Sequence, residues 1–276
     1  MTKILFVGEG AGSWEVRGRQ IGKALGARVT TQPTRDDWRW ADLVILVKRA
    51  VDTWGATAKA VGVPAVWDVL DYWRQPEDNQ RPADACIADV LQRRDRYRLA
   101  GLIGATQAMA DDIGGVYIPH HARPGLAPVA PRGRVKVVAY EGTKKYLGSW
   151  LNALTAACEA RGLQMAVNPP SLAAVDVVVA FRDGKWDGWA CRRWKSGVKY
   201  VNALTAGKPV LTQDTAGYQE IRPVGLMISA ADQLGAALDR VIVMSDLAYE
   251  TAKHRQREFS IETTAAPQWS CGHLQG

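Results

Sequence analysis

The sequence is poor in the residues that staple a fold or hold a metal. Its four cysteines, Cys86, Cys158, Cys191 and Cys271, lie far apart. There is no CxxC pair and no Cys/His cluster at ligand spacing, which excludes a disulfide scaffold and a zinc finger. No Asp-x-Asp pair occurs, and the expectation is that no metal is bound. No apolar run approaches the roughly 18 residues needed to cross a bilayer. The opening Lys3-Ile4-Leu5-Phe6-Val7-Gly8 is too short for a signal peptide. A cytoplasmic protein without a membrane span is expected. Phenylalanine is scarce, with 3 against 11 tryptophans, and no internal repeat or low-complexity tract is visible.

What is present suits a globular chain. It has 276 residues, 47% hydrophobic and 23% charged, enough for a real core in one large domain or two modest ones. Lys plus Arg is 35 against 28 Asp plus Glu, a net charge of +7. This is a mild bias toward partners or substrates that carry phosphate.

Strands and helices alternate along the first half. Lys3–Gly8 reads as a buried strand, Ala41–Val47 is continuously apolar, and Val63–Val69, Leu102–Ala105 and Val116–Ile118 follow. Ala83–Leu99 reads as a helix with a basic end. A run of four prolines and two glycines then spans Pro119–Gly133, the composition of a linker. The alternation restarts with strands at Val135–Tyr140, Val175–Ala180 and Pro209–Thr212. Helices are expected at Lys144–Ala160, Gly197–Ala206 and Ala231–Ala252. Continuous apolar strands separated by helices predict parallel sheets covered on both faces. The expected fold is α/β, with two doubly wound Rossmann-like domains facing a cleft. The expected boundaries are 1–122, a linker at 123–134, a second domain at 135–252, and a tail at 253–276 packing back on the first domain.

Ligands of such sheets bind beyond the C-terminal strand ends. The loop holding Gly8, Gly10, Gly12 and Ser13 joins a strand to a helix, where backbone N–H groups can receive an anion or a hydroxyl. It is also what any tight strand–helix turn looks like. With Trp14 and Trp73, its Gly10, Gly12 and Ser13 form a candidate acceptor-binding set. Asp68 and Asp71 follow a strand. A carboxylate there deprotonates an acceptor hydroxyl if burial raises its pKa, and otherwise caps a helix. His120 and His121 sit at the domain junction, where an imidazole bonds either a ligand hydroxyl or backbone. The stretch Arg182–Lys199 concentrates basic residues and tryptophans after a buried strand, at an expected helix start. Helix N-terminus plus Arg and Lys is a diphosphate site; the alternative is a solvated basic loop.

From Lys195 the chain reads KSGVKYVNALTAGKPVLTQDTAGYQEI. The elements Ala206-Gly207-Lys208-Pro209-Val210 and Ala216-Gly217-Tyr218-Gln219-Glu220 resemble the donor-binding region of GT-B glycosyltransferases of the family-4-like kind. Where that family places two glutamates, this chain has Trp194 and Asn202. Lys199-x-x-Asn202-Ala203, Trp67-Asp68-x-x-Asp71-Tyr72-Trp73, Pro119-His120-His121 and Tyr140-Glu141-Gly142 look like a phage-associated branch. Some members of that branch glycosylate hydroxymethylated pyrimidines in DNA.

The resemblance implies a metal-independent glycosyltransferase using a nucleotide-sugar co-substrate, a UDP-sugar by expectation, and no cofactor. It implies donor binding by Arg182, Lys195 and Lys199 at the diphosphate, by Asn202 and Glu220 at sugar or ribose, and by Glu141 and Gly142. Asp71 is the base if the reaction inverts the anomeric carbon; if it retains, Asp71 and His120 orient the acceptor. DNA is the expected partner, the chain is expected to be monomeric, and a phage-encoded protein would act in the host cytoplasm. Basic clusters at Arg17, Arg19 and Lys23 and at Arg93, Arg94, Arg96 and Arg98 would meet phosphates, with Trp14, Trp67 or Trp73 stacking on an extruded base. Transfer to a small molecule, lipid or polysaccharide, and non-enzymatic nucleotide or sugar binding, are the competing readings.

Overall fold

A computed structural model describes residues 2–10, 12–71 and 81–265. Two compact units emerge from its contacts. The first comprises Met1–His121, Trp189–Ser196 and the segment from Ser260; the second comprises Ala122–Gly188 and Gly197–Phe259. The octapeptide Trp189–Ser196, which the sequence assigns to the second domain, therefore belongs to the first unit.

The first unit is built on a six-stranded, all-parallel sheet in the order β2-β1-β3-β4-β5-β6. These strands are β1 (Ile4–Val7), β2 (Arg28–Thr30), β3 (Leu43–Val47), β4 (Ala65–Asp68), β5 (Gly101–Gly104) and β6 (Val116–Tyr117). Between them lie α1 (Ile21–Ala24), α2 (Arg35–Trp40), α3 (Ala50–Val61), α4 (Ala83–Tyr97) and α5 (Gln107–Ile113). β3, sequence LVILV, is buried along nearly its whole length. Apolar clusters cover both sheet faces: one holds Leu5, Val44, Leu46 and Trp67, the other Phe6, Ile45, Val66 and Ile103. This is why the strand reads as an unbroken apolar run.

The second unit carries a five-stranded parallel sheet in the order β11-β10-β9-β7-β8. Its strands are β7 (Val137–Tyr140), β8 (Gln164–Val167), β9 (Val177–Ala180), β10 (Val210–Thr212) and β11 (Gly225–Met227). Helices α6 (Trp150–Glu159), α8 (Val198–Thr205), α9 (Ala216–Ile221), α10 (Leu234–Ile242) and α11 (Ser245–Arg255) pack around it. The remaining two, α7 (Trp189–Trp194) and α12 (Ile261–Ala265), belong to the first unit.

Two expected helices are shorter than the sequence suggests. Lys144–Tyr146 is a single 3-10 turn, and α6 starts only at Trp150. In between, Gly148 adopts φ +52° and the Asp183 carboxylate accepts from the Ser149 backbone N–H and hydroxyl, at 2.7 and 2.5 Å. The expected Ala231–Ala252 helix breaks into α10 and α11, with the Ser245 hydroxyl donating to the Ile242 carbonyl at 2.9 Å across the break.

In both sheets strand order reverses beside the first strand, between β1 and β3 and between β7 and β9. The loops leaving those strands are where ligands of doubly wound sheets bind.

Candidate functional site

In the first unit, three loops at the C-terminal sheet edge bring charged residues together. Lys48 directly follows β3 and Asp71 lies just beyond β4. The Asp71 carboxylate is 4% exposed. Its Oδ1 lies 2.7 Å from Lys48 Nζ as an ion pair, and its Oδ2 accepts from Lys195 Nζ. Two of the backbone positions that aim these groups are in the left-handed region, Lys48 at φ +54° and Leu70 at φ +66°. Such conformations cost energy in non-glycine residues and persist only where surrounding structure enforces them. The enforcement here is visible. The Lys48 N–H donates to the Asp68 carbonyl at 2.8 Å, the Trp67 Nε1 donates to the Lys48 carbonyl at 2.8 Å, and the Asp71 N–H donates to the Val69 carbonyl at 2.8 Å.

The geometry gives Asp71 two cationic partners, Lys48 and Lys195, that the sequence expectation did not include. Burial alone would raise its pKa, but the charges of Lys195 and Lys48 and their hydrogen bonds outweigh burial and hold the carboxyl well below the usual carboxylate range. Asp71 is a stable anion between two ammonium groups, a poor proton acceptor at neutral pH. Lys195, expected on a donor diphosphate in the second domain, is instead an Asp71 partner in the first unit.

His120 follows β6. It is 3% exposed, and neither ring nitrogen has a hydrogen-bond partner among the described residues. Burial, then the charges of Arg17, His121 and Lys195, push its pKa well below the ordinary histidine value, against an opposing pull from Asp71. It is a neutral imidazole with one unmet donor and one unmet acceptor. His121 is fixed by a 2.8 Å bond between Nε2 and Gln20 Oε1, and burial lowers its pKa to about 4.

Several sequence candidates of this unit have structural employment. Arg17 and Asp68 form an ion pair with no solvent exposure, and Arg17 also donates to the carbonyls of Ile118 and Pro119 at 2.9 and 2.8 Å. Arg93 is buried against Asp52 and Asp89. Neither is available to a phosphate backbone. Trp14 is 2% exposed, its ring filling the space above Gly8 and Gly18. Trp67 is fully buried, so neither indole can stack on an extruded base. Trp73 lies outside the described residues. Gly10 and Gly12 take positive φ in the exposed loop that Ser13 ends, with open space around them. Within Arg182–Lys199, Arg193 pairs with Asp112, and Trp194 is buried with its Nε1 on the same carboxylate at 2.8 Å. That part of the basic stretch is packing and not a phosphate loop.

The second unit gathers a different set at its β7/β9 switch point. Beyond β7, Glu141 accepts from Arg123. Gly142, at φ +141°, exchanges two bonds with Asn168 from the end of β8: its N–H donates at 2.6 Å and its carbonyl accepts at 2.9 Å. That φ is accessible essentially to glycine alone. Beyond β9, the Arg182 guanidinium lies 4.9 Å from the centre of the Tyr146 ring, which packs at 4.4 Å against Trp186. Lys199, in the first turn of α8, places its Nζ 3.7 Å from the centre of the Tyr140 ring at the end of β7. No side chain caps the α8 N-terminus. Arg182, Lys199, Glu141 and Gly142 thus share one strand-end region.

Asn202 does not join them: it is buried, and its Oδ1 accepts from the Arg123 N–H at 3.0 Å. Glu220 is half-buried at the end of α9. Sequence reasoning missed Lys48, Tyr146 and Asn168. The available signal for Lys48 was its position as the first residue after the most apolar strand. Among the described residues no group of three or more His, Cys, Asp or Glu side chains could hold a metal ion, and no helix is long and apolar enough to cross a membrane.

These two parallel α/β units define the GT-B architecture. A scan against protein-family models gives no match, and no curated protein matches the sequence. Solved structures do match. HepE of Anabaena, in complex with UDP, is 13% identical, with 96% of this chain and 97% of that chain covered and a TM-score of 0.63. AviGT4, a glycosyltransferase involved in avilamycin A biosynthesis, is 13% identical, with 96% and 95% covered and a TM-score of 0.56. At these identities the likeness is one of fold.

Proposed function

We propose that the protein transfers a sugar from a nucleoside-diphosphate sugar to an acceptor hydroxyl. The observation that carries this reading is the convergence of Arg182, Lys199 and the Gly142 loop at the switch point of the second sheet. Two cations beside an uncapped helix start suit a leaving diphosphate. That AviGT4 is a glycosyltransferase supports the same reading, and the UDP bound to HepE supports a uridine donor.

In the reaction the acceptor oxygen bonds to the anomeric carbon as the bond from that carbon to the diphosphate oxygen breaks. The leaving group departs with the electron pair, and Arg182 and Lys199 stabilise its charge without a metal. The acceptor-side residues are those of the first unit. Asp71 orients through Lys48 and Lys195, and His120 is the uncharged group available to hydrogen-bond the acceptor hydroxyl, whose proton passes to the departing diphosphate oxygen.

The acceptor read from the sequence is a hydroxymethylated pyrimidine in DNA. It keeps the support of the exposed Arg19, Lys23, Arg96 and Arg98 and loses that of Arg17, Arg93, Trp14 and Trp67. The test is incubation with a panel of nucleotide sugars, with and without hydroxymethylated duplex, reading nucleoside diphosphate release. Release with one donor is the expected result. No release with any donor and any acceptor would leave only nucleotide binding.

A further inference from the structure

We propose that Gln213 is a positioning residue of the donor site: its side-chain amide fixes the backbone that carries Arg182, and through Arg182 it sets the affinity for the donor's diphosphate. The inference rests on the glycosyl-transfer reading, which puts that diphosphate at the strand ends of the second unit.

Three observations carry it. The first is register. β10 runs parallel to β9, with Val210 opposite Val178, Leu211 opposite Val179 and Thr212 opposite Ala180. β9 ends at Ala180, so Arg182 lies two residues past it. Side chains from the β10 end continue the contact. Thr212 Oγ1 donates to the Ala180 carbonyl at 2.9 Å, and Gln213 Oε1 accepts from the Arg182 N–H at 2.7 Å. The next residue is held as well, the Asp183 N–H donating to the Tyr146 carbonyl at 3.1 Å. The second is chemistry. Gln213 is 9% exposed, and its Nε2 donates to Asp187 Oδ2 at 3.3 Å. One end of this side chain accepts from a backbone N–H while the other donates to a carboxylate, and an amide does both at once. A carboxylate at this position has no donor for Asp187, and an aliphatic chain offers neither group. Polar groups this deep lose stability when a partner is removed. The third is what the bonded backbone carries. Among the described residues the Arg182 guanidinium has no carboxylate partner; it lies over the Tyr146 ring, 4.9 Å from its centre. Arg193, in the same basic stretch, is by contrast committed to Asp112. Arg182 is thus a cation still available to a ligand, on a backbone that Gln213 pins. Misplacement by about 1 Å of a group that positions a ligand is enough to cost roughly 100-fold.

The test uses the full chain with UDP as the probe, followed by calorimetry. Gln213→Leu should weaken UDP binding by roughly tenfold. The double variant Gln213→Leu with Arg182→Ala should bind within about twofold of Arg182→Ala alone, because the glutamine acts through the arginine. Gln213→Glu should also weaken binding, since it sets two carboxylates against each other. Adding Asp187→Asn exchanges donor and acceptor between the two positions at constant charge, and should restore affinity to within about threefold of wild type. This exchange keeps the proposal testable if Gln213→Leu fails to fold. Unchanged affinity in both Gln213 variants, losses that add in the double variant, or no recovery in the exchanged pair overturns the proposal. A loss in Arg182→Ala beside an unchanged Gln213→Leu overturns this inference alone and leaves the donor site in place. Full-strength binding in Arg182→Ala, or no UDP binding by the wild type, overturns the donor assignment and this inference with it.

Discussion

Arg17 and Asp68 meet as a two-pronged pair, Nε to Oδ2 at 2.7 Å and Nη2 to Oδ1 at 3.2 Å, with no part of either side chain exposed to solvent. The pair ties the helical segment after β1 to the end of β4, next to the Lys48–Asp71 cluster. Removing one partner leaves a buried charge uncompensated, which costs about 3–5 kcal/mol. Asp68→Ala should lower unfolding free energy by that order in urea titration. A loss below about 1 kcal/mol, the level of an exposed pair, would show that the site is wet.

Asp71 behaves as a fixed anion in this cluster, so the acid limb of kcat/KM should not be its ionisation. Asp71→Asn is expected to lower kcat/KM by roughly 10- to 100-fold through misplacement of Lys48 and Lys195, with the shape of the pH profile kept. Disappearance of an acid limb in the variant would restore Asp71 as the base.

His121 makes the folded state sensitive to acid. Its pKa is about 4 when folded and ordinarily 6.5, so the unfolded chain binds the proton first. Stability is therefore full above about pH 6.5 and falls as pH drops toward 4, by an order of about 3 kcal/mol from this residue. Urea midpoints measured from pH 7 to 4.5 should decline, and His121→Gln should decline less steeply. Parallel slopes in the two proteins would contradict the assignment.

On the donor side, Lys199→Ala and Arg182→Ala should each weaken UDP binding by roughly 10- to 100-fold, the worth of one charge-assisted contact. Calorimetry with UDP checks this, and unchanged affinity in both variants would move the diphosphate elsewhere. Turnover should also persist in EDTA; abolition by EDTA with recovery on adding Mg²⁺ or Mn²⁺ would show a metal-bridged donor.

The parts of the fold legible in the sequence are those where local pattern and burial agree. β1, β3 and β9 are continuous apolar runs buried in the sheets. β8 and β11 escaped notice because none of their residues is fully buried and neither shows such a run. The candidate residues Glu141, Gly142, Arg182 and Lys199 could be found because each lies within a few residues of a strand end. What sequence could not supply was partnership across the chain. Lys195 is 124 residues from Asp71 and Arg193 is 81 from Asp112. Nothing local in the basic stretch tells which of its cations are already spent.

The fit of Trp14 over two glycines has a consequence for anyone re-engineering the first loop. A methyl group on Gly8 would sit 2.1 Å from the indole, and one on Gly18 2.0 Å from it. The glycine that imitates a nucleotide fingerprint is in fact one wall of a socket for an aromatic plug. Gly8, Trp14 and Gly18 therefore form a single mutational unit. Alanine at either glycine should be rescued by a smaller side chain at position 14, while Gly10 and Gly12, with empty space beside them, are limited by backbone angle alone. Libraries that vary the loop one codon at a time would record the socket as three intolerant positions and miss that they exchange with one another.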